Sequence, residues 1–367
     1  MSHKVSSCEV LVAGGGVIGA ACARGAALRG LRVLLCEPGP DPAAASAASA
    51  GILGAQIERT DEALRALGLR GRDLYDGLAA ALAETTGIDI GLWREGIASL
   101  AFDEAEAEAL RDAVARQRQA GLRCDWLEAA DVADRFPATA PCFGALFAPE
   151  DGAVNAPALA RALLADARRC GAQTLAAGVS RINTILGRVT GVETSAGKVR
   201  AEHVIIAAGA WSTRIEHLPR RLPIEPVRGQ MAAAPWPTGM PRAILYFDHG
   251  YVLAREGEAL VGSTMERVGF DGSVTEAGIT QIISLARRLI PGLAAPTRSW
   301  AGLRPVTPDG RPIVGPDPEV RGLWYAAGHG RNGVLLAALT GQIIADLVST
   351  GSTDVDIASL DVARFTS

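Results

Sequence analysis

The hydrophobic pattern of the first forty residues switches twice. In "CEVLVAGGGVIGAACARGAALRGLRVLLCE" a short apolar run ends at Ala13, glycines occupy positions 14, 15 and 16, a stretch of small residues follows, and "LRVLLCE" closes the segment. This order predicts strand, tight turn, helix and strand. Helices are expected from Thr60 to about Glu84, broken near Gly68 and Gly71, and over "DEAEAEALRDAVARQRQAG". The second of these opens on Asp103 and Glu106 in capping-box spacing and ends in arginines before Gly121, so its charges read as a solvated face. A further helix, in "DGAVNAPALARALLADARRCGA", has Asn155 at its cap, Pro157 in its first turn and Gly171 just past its end.

Farther on, the pattern shortens. "AQTLAAGVSRI", "RVTGVETS" and "KVRAEHVIIAAGA" read as three strands that turn at Leu186-Gly187 and Ala196-Gly197. From Leu222 to Phe270 the runs "EPVRGQMAAAPW", "RAILYFDHG", "YVLAREG" and "ALVGSTM" predict a separate antiparallel sheet, with a turn at Arg255-Glu256-Gly257. A helix from about Thr275 to Leu289, stopped by Pro291 and Gly292, leads into "SWAGLRPVTPDGRPIVG". "RGLWYAAGHG" then reads as a buried strand and "NGVLLAALTGQIIADLV" as an apolar helix. The expected class is α/β, α+β overall, in two domains.

Composition narrows the function classes. A chain of 367 residues, 49% hydrophobic and 21% charged, has ample material for a core. Its formal net charge of -4, with both signs spread along the chain, gives no stripe for nucleic acid and no polybasic membrane patch. A small molecule is the expected partner, and no run is read as a membrane span. Six cysteines (Cys8, Cys22, Cys36, Cys124, Cys142, Cys170) show no metal-ligand spacing, so no metal is expected and a reducing cytoplasm fits. "VLVAGGGVIGAACA" could also pass for a signal peptide cleaved near Ala21-Cys22-Ala23, but its glycine spacing favours another use.

That use is nucleotide binding. Gly14, Gly16 and Gly19 form G-x-G-x-x-G between strand and helix, and Glu37 follows Gly19 by 18 positions at the end of the second strand. Gly14 turns the chain, Gly16 lets backbone N–H groups approach a pyrophosphate, Gly19 lets helix touch strand, and Glu37 accepts from a ribose. "PDPAAASAASAGILGAQ" is either a flexible loop or a backbone surface passing close to a flat ligand. At the other end, "WYAAGHGRNGVLLAALTG" repeats strand, glycine turn and helix. A helix N-terminus at Asn332-Gly333 carries free N–H groups and partial positive charge, which suits a flavin that becomes negative on reduction.

With these segments in place, the chain resembles the FAD-dependent D-amino-acid oxidase family, and within it the glycine oxidase branch linked to thiamine biosynthesis. The resemblance spans nearly the whole chain and rests on "GGGVIG…E", "SAGILGA", "VIIAAGAWS", "PVRGQM", "LYFDHGYVLAR", "VGSTME", "WAGLRPVTPDGRPIVG" and "AAGHGRNGVLLAALTG" in that order. It implies an FAD domain from residues 1–86, 148–221 and 300–367, and a substrate domain from 87–147 and 222–299. It implies that Arg304 binds the substrate carboxylate, that Tyr251 donates a hydrogen bond to it, and that His249, Met265 and Arg331 line the same pocket. FAD contacts are then expected from Gly14, Gly16, Val17, Ile18, Gly19, Glu37 and Pro38, and from Ala45, Ser46, Ser49, Ala50, Gly51 and Ile52. Val179, Ala208, Gly209 and Trp211 belong to the same set, as does the turn of His329, Gly330, Arg331, Asn332, Gly333, Val334 and Leu335. The activity implied is oxidative deamination of glycine or small amines such as sarcosine and D-alanine, with O2 reduced to hydrogen peroxide and a homo-oligomer as the assembly. Sarcosine oxidases of this superfamily usually tether flavin to a cysteine late in the chain; here Cys170 is the last, so FAD is expected to be noncovalent.

Residue by residue, plainer roles stay open. Arg304 could form a structural ion pair with Asp248 or Glu266, Tyr251 could be a core tyrosine, and His249 a surface residue. Arg331 could serve the flavin or chain packing, and His3, His203 and His217 carry no assigned role. A different D-amino acid or N-substituted glycine, or an acceptor other than O2, is the nearest alternative. An NAD-linked dehydrogenase and a non-enzymatic flavin module are the more distant ones.

Overall fold

The computed structural model describes residues 7–39, 44–58, 61–247 and 250–365. His249, and with it Asp248, lies outside the described residues.

Two eight-stranded sheets organise the chain. In the first, Ser7–Ala13 lies between Gly197–Ile206 and Val33–Cys36, all parallel, with Gln173–Leu175 beyond the last and Leu323–Ala327 beyond the first. Ile313–Pro316 adds an antiparallel edge, and the hairpin Val179–Ile185/Arg188–Thr194 extends from the early part of Gly197–Ile206. Alternate residues of the central strands enter different cores: Val10, Val12 and Leu35 pack under the helices Val17–Leu28, Ala156–Arg169 and Gly333–Thr350, whereas Leu11, Leu34 and Ile206 pack on the opposite side. Burial of both faces is why these strands read as unbroken apolar runs.

Two of the covering helices meet backbone to backbone. A Cβ on Gly341 would lie 2.7 Å from Ala21 O, and one on Gly25 would lie 2.6 Å from Gly341 O. The expectation of no membrane-length apolar run needs correction here: Gly333–Thr350 is long and apolar enough to cross a bilayer, with mean hydropathy 1.6. Within this fold it is largely buried, its Leu335, Leu336, Leu339 and Ile343 lying in the main core.

The second sheet runs Arg298–Val306, Glu225–Pro235, Glu258–Gly262, Gly250–Arg255, Ile244–Phe247, Ile97–Ala101, Gly144–Ala148, Asp125–Leu127. It is antiparallel except where Ile244–Phe247 meets Ile97–Ala101 in parallel, a pairing between distant segments that no local turn could announce. Helix Glu276–Leu289, capped by Thr275, covers one face with Ile282, Ile283, Ala286 and Leu289. The other face presents Met231, Tyr246, Tyr251 and Leu253 towards Ala50, Trp93 and Ala153.

Three expected elements differ. The helix expected to break near Gly68 and Gly71 instead runs through both as Glu62–Asp73 and yields to Tyr75–Thr86 at Leu74. Those glycines serve packing, since a Cβ on Gly71 would sit 2.7 Å from Leu335 O. "AQTLAAGVSRI" is two strands, Gln173–Leu175 in the parallel sheet and Val179–Ile185 in the hairpin. A domain boundary at 299/300 cuts the strand Arg298–Val306, which pairs with Glu225–Pro235 along its whole length, so Arg304 stands on the second sheet.

Candidate functional site

A cavity of about 380 Å³ opens where the carboxyl ends of the parallel strands, at Ala13, Cys36, Ala207 and Ala327, face the inner side of the second sheet. Open α/β sheets bind ligands at this position, because helix N-termini and loop backbones converge there.

The N-terminal turn forms one wall. Gly14 has φ +109°, and a Cβ there would lie 2.5 Å from Ala207 O, so the turn and the Ala207-Ala208 backbone are in direct contact. A Cβ on Gly19 would overlap Gly14 O; Gly19 therefore seats the helix on the strand and does not itself line the cavity. Gly15 N donates to Glu37 Oε2 at 2.5 Å and Val17 N to Ser46 Oγ at 3.0 Å, which joins the turn to the second strand and to the alanine-rich segment. That segment is not free loop: Ala45–Ala48 is helical, Trp300 Nε1 donates to Ala48 O at 2.9 Å, and Arg255 Nη2 donates to Ala50 O at 2.8 Å and Val154 O at 2.7 Å. Burial pushes the Arg255 pKa below its ordinary value.

Of the residues singled out for a flavin, Gly14, Gly16, Val17, Ile18, Glu37 and Pro38 line the cavity, as do Ala45, Ser46, Ser49, Ala50, Gly51 and Ile52. So do Val179, Ala208, Gly209, Trp211 and the turn from His329 to Leu335. The helix Gly333–Thr350 starts here without a side-chain cap, leaving its first N–H groups towards the cavity. His329 is buried, shares a hydrogen bond with Thr340 Oγ1 at 3.0 Å, and has its pKa lowered to about 3 by burial.

The candidate substrate groups gather at the second sheet. Arg304, Tyr251 and Arg331 line the cavity; Met265 does not, being half exposed, with its Sδ 3.6 Å from Arg304 Nη1. Arg304 donates from Nη2 to Ser263 Oγ at 2.6 Å and from Nη1 to Thr264 O at 3.2 Å. Burial lowers its pKa, and among the described residues it has no ion-pair partner. Glu266, considered above as its acid, pairs instead with Arg228 at 2.6 Å. Tyr251 OH donates to Met231 Sδ at 3.2 Å, and burial raises its pKa.

Sequence reasoning missed Glu58. Its Oε1 accepts from Tyr246 OH at 3.0 Å and from Arg331 Nη2 at 3.1 Å, so Arg331 has a salt-bridge partner, which Arg304 does not have among the described residues. Burial alone would lower the Arg331 pKa, but Glu58 beside it raises it. Gly229, Met231, Tyr246 and Ser263 also line the cavity unforeseen. An isolated glutamate before a helix carries no marker in the chain; only the fold brings it to an arginine 273 positions away.

The cavity walls suit a flavin dinucleotide. Gly209 and Gly330 present backbone to open space, since a Cβ on either meets nothing closer than 4.0 Å, and two helix N-termini with Glu37 supply donors and an acceptor for phosphate and ribose. The match with known proteins points the same way. A family model described as FAD dependent oxidoreductase matches residues 9–347. The chain is 38% identical to a glycine oxidase of Geobacillus kaustophilus, over 99% of this chain and 98% of that one. It is 36% identical to a glycine oxidase of Pseudomonas aeruginosa, over 95% and 97%. Its fold superposes on the crystal structure of the Geobacillus kaustophilus glycine oxidase with a TM-score of 0.93, covering 99% of this chain and all of that one. The fold also superposes on an iminodiacetate oxidase of Chelativorans sp. BNC1, at TM-score 0.88 and 26% identity, over 96% and 98%. The chain therefore belongs to the DAO family of FAD dependent oxidoreductases, as an FAD-dependent amino acid oxidase.

Proposed function

We propose that this enzyme oxidises glycine and other small amines that carry a carboxylate, with Arg304 as the carboxylate-binding group. The observation that carries the reading is Arg304 itself: a guanidinium on the cavity wall with no salt-bridge partner among the described residues, Glu58 acting on it only at longer range. A partly buried cation without a salt-bridge partner is costly, so the site is complementary to an anion that arrives with the substrate. Arginine is planar and permanently charged, and can hold both carboxylate oxygens in parallel, which fixes the α-carbon.

FAD, when bound, supplies the acceptor for a hydride from the α-carbon, with O2 taking the electrons to give hydrogen peroxide. The side chains orient and enclose. Arg304 anchors the acid end, Tyr251 places a hydroxyl beside it, and apolar Ile52, Met231 and Leu303 keep water from the reacting carbon. Glu58 neutralises Arg331, so the second cation does not compete with Arg304 for the same carboxylate. The amine must be neutral to release hydride, and the imine product hydrolyses to an oxoacid and ammonia. The names of the relatives favour glycine as the substrate, with sarcosine and D-alanine as small amines of the same kind, and six unpaired cysteines fit the cytoplasm.

Arg304→Ala tests the assignment. Loss of about 3 kcal/mol on removing one partner of a buried ion pair corresponds to a fall of at least ~100-fold in kcat/KM for glycine. The variant should keep its FAD. Unchanged kinetics would remove Arg304 from the site.

A further inference from the structure

Gly229 stands in the middle of the strand Glu225–Pro235, paired with Gly302 on one side. Glycine weakens a strand interior, and there it marks a bulge, a bend or the close approach of another group. No bulge interrupts this ladder, and Gly229 is not among the glycines with positive φ, so its backbone would accept any residue. Space is what forbids one. A Cβ on Gly229 would overlap Nη1, Cζ and Nη2 of Arg304 together, which means that the Nη1–Nη2 edge of the guanidinium abuts the glycine.

The register explains the geometry. Arg304 sits opposite Val227, and Gly229 is the next residue on the same face of the strand, so the arginine leans one pleat along the sheet. There its edge is held by Ser263 Oγ and Thr264 O from beyond the neighbouring strand Glu258–Gly262. The same face repeats the device: a Cβ on Gly262, opposite Met231, would overlap Met231 Sδ and lie 2.8 Å from Tyr251 OH. Two strand glycines thus sit beneath the two polar groups assigned to the substrate carboxylate.

We propose that Gly229 and Ser263 are positioning residues that form a seat for the Arg304 guanidinium, and that this seat sets carboxylate affinity. The inference rests on the reading of Arg304 as carboxylate binder. With a side chain at 229 the Nη edge must withdraw from the glycine, and the planar fork no longer meets both oxygens. Lysine at 304 has no plane to tilt and a flexible stem, so it tolerates a methyl beneath it.

The test uses the FAD-loaded enzyme and acetate, a carboxylate without an amine, followed by the change it causes in the visible spectrum of the bound flavin. Four proteins are compared: wild type, Gly229→Ala, Arg304→Lys and the double variant, with glycine kinetics, flavin content and thermal midpoint measured alongside. Gly229→Ala is expected to weaken acetate at least 10-fold and to raise KM for glycine more than it lowers kcat, while adding less than 3-fold in the Arg304→Lys background. Ser263→Ala, which inserts nothing into the sheet, should weaken acetate about 3-fold or more and stands in if Gly229→Ala does not fold. Equal penalties for Gly229→Ala in both backgrounds, or acetate binding unaltered in Gly229→Ala or Ser263→Ala, would overturn the seat while leaving the role of Arg304 intact. Acetate affinity that is the same in wild type and Arg304→Lys would overturn the role of Arg304, and the seat with it.

Discussion

Arg304 and His329 meet burial in opposite ways. The arginine cannot shed its proton, so its charge persists and calls for an anion. The histidine can, and its pKa falls to about 3 from an ordinary value of 6.5, leaving a neutral ring that shares one hydrogen bond with Thr340. This depressed pKa has a sign for stability. The unfolded chain binds a proton below pH 6.5 that the native ring refuses, so His329 favours folding fully above that value and progressively less as pH falls towards 3. Between pH 7.5 and pH 5 that single group should cost about 2 kcal/mol. Urea unfolding of wild type and His329→Gln at both pH values checks it: the variant, which keeps a polar group near Thr340, should lose about that much less. Equal losses in the two proteins would show that His329 already ionises in the folded state.

Among the elements, the helices Val17–Leu28 and Gly333–Thr350 matter most to the site, because each begins at the cavity wall. Their relative height is set by the glycine contact at Gly25 and Gly341. Gly341→Val would drive a side chain into Ala21 O and separate the pair; overpacking of this kind costs about 1–3 kcal/mol. Thermal unfolding should show the loss, and FAD affinity should fall with it, since both N-termini move together. A variant as stable as wild type and with unchanged FAD affinity would mean that the helices are positioned by the sheet instead. Small residues inside apolar helices were visible in the chain, but their partners were not. Gly68 and Gly71 read as breaks for the same reason: a glycine that lets two backbones touch and a glycine that ends a helix look alike until the second backbone is placed.

At the scale of the whole molecule, the first sheet is assembled from strands near both ends and the middle of the chain, and the second faces it across the cavity. Periodicity carried many of the individual strands but not Ile97–Ala101, Asp125–Leu127 or Gly144–Ala148, and the glycine fingerprint with Glu37 carried the nucleotide reading, because those signals are local. Family membership, FAD as cofactor and an amino acid oxidase activity were legible because the motifs recur in order along nearly the whole chain. What stayed hidden is nonlocal: the parallel pairing of Ile244–Phe247 with Ile97–Ala101, the placement of Arg304 on the second sheet, and the meeting of Glu58 with Arg331. Each depends on which strands become neighbours, a choice settled by burial of both sheet faces and by no short motif.

The most direct measurement of the central claim is anaerobic addition of glycine to the purified FAD-loaded protein, followed in the flavin absorption band. Wild type is expected to lose the yellow colour of oxidised flavin in a saturable, glycine-dependent way, and admission of O2 should restore it with release of hydrogen peroxide. A protein that stays yellow with glycine, sarcosine and D-alanine alike would contradict the claim that this cavity clamps a small amino acid for oxidation.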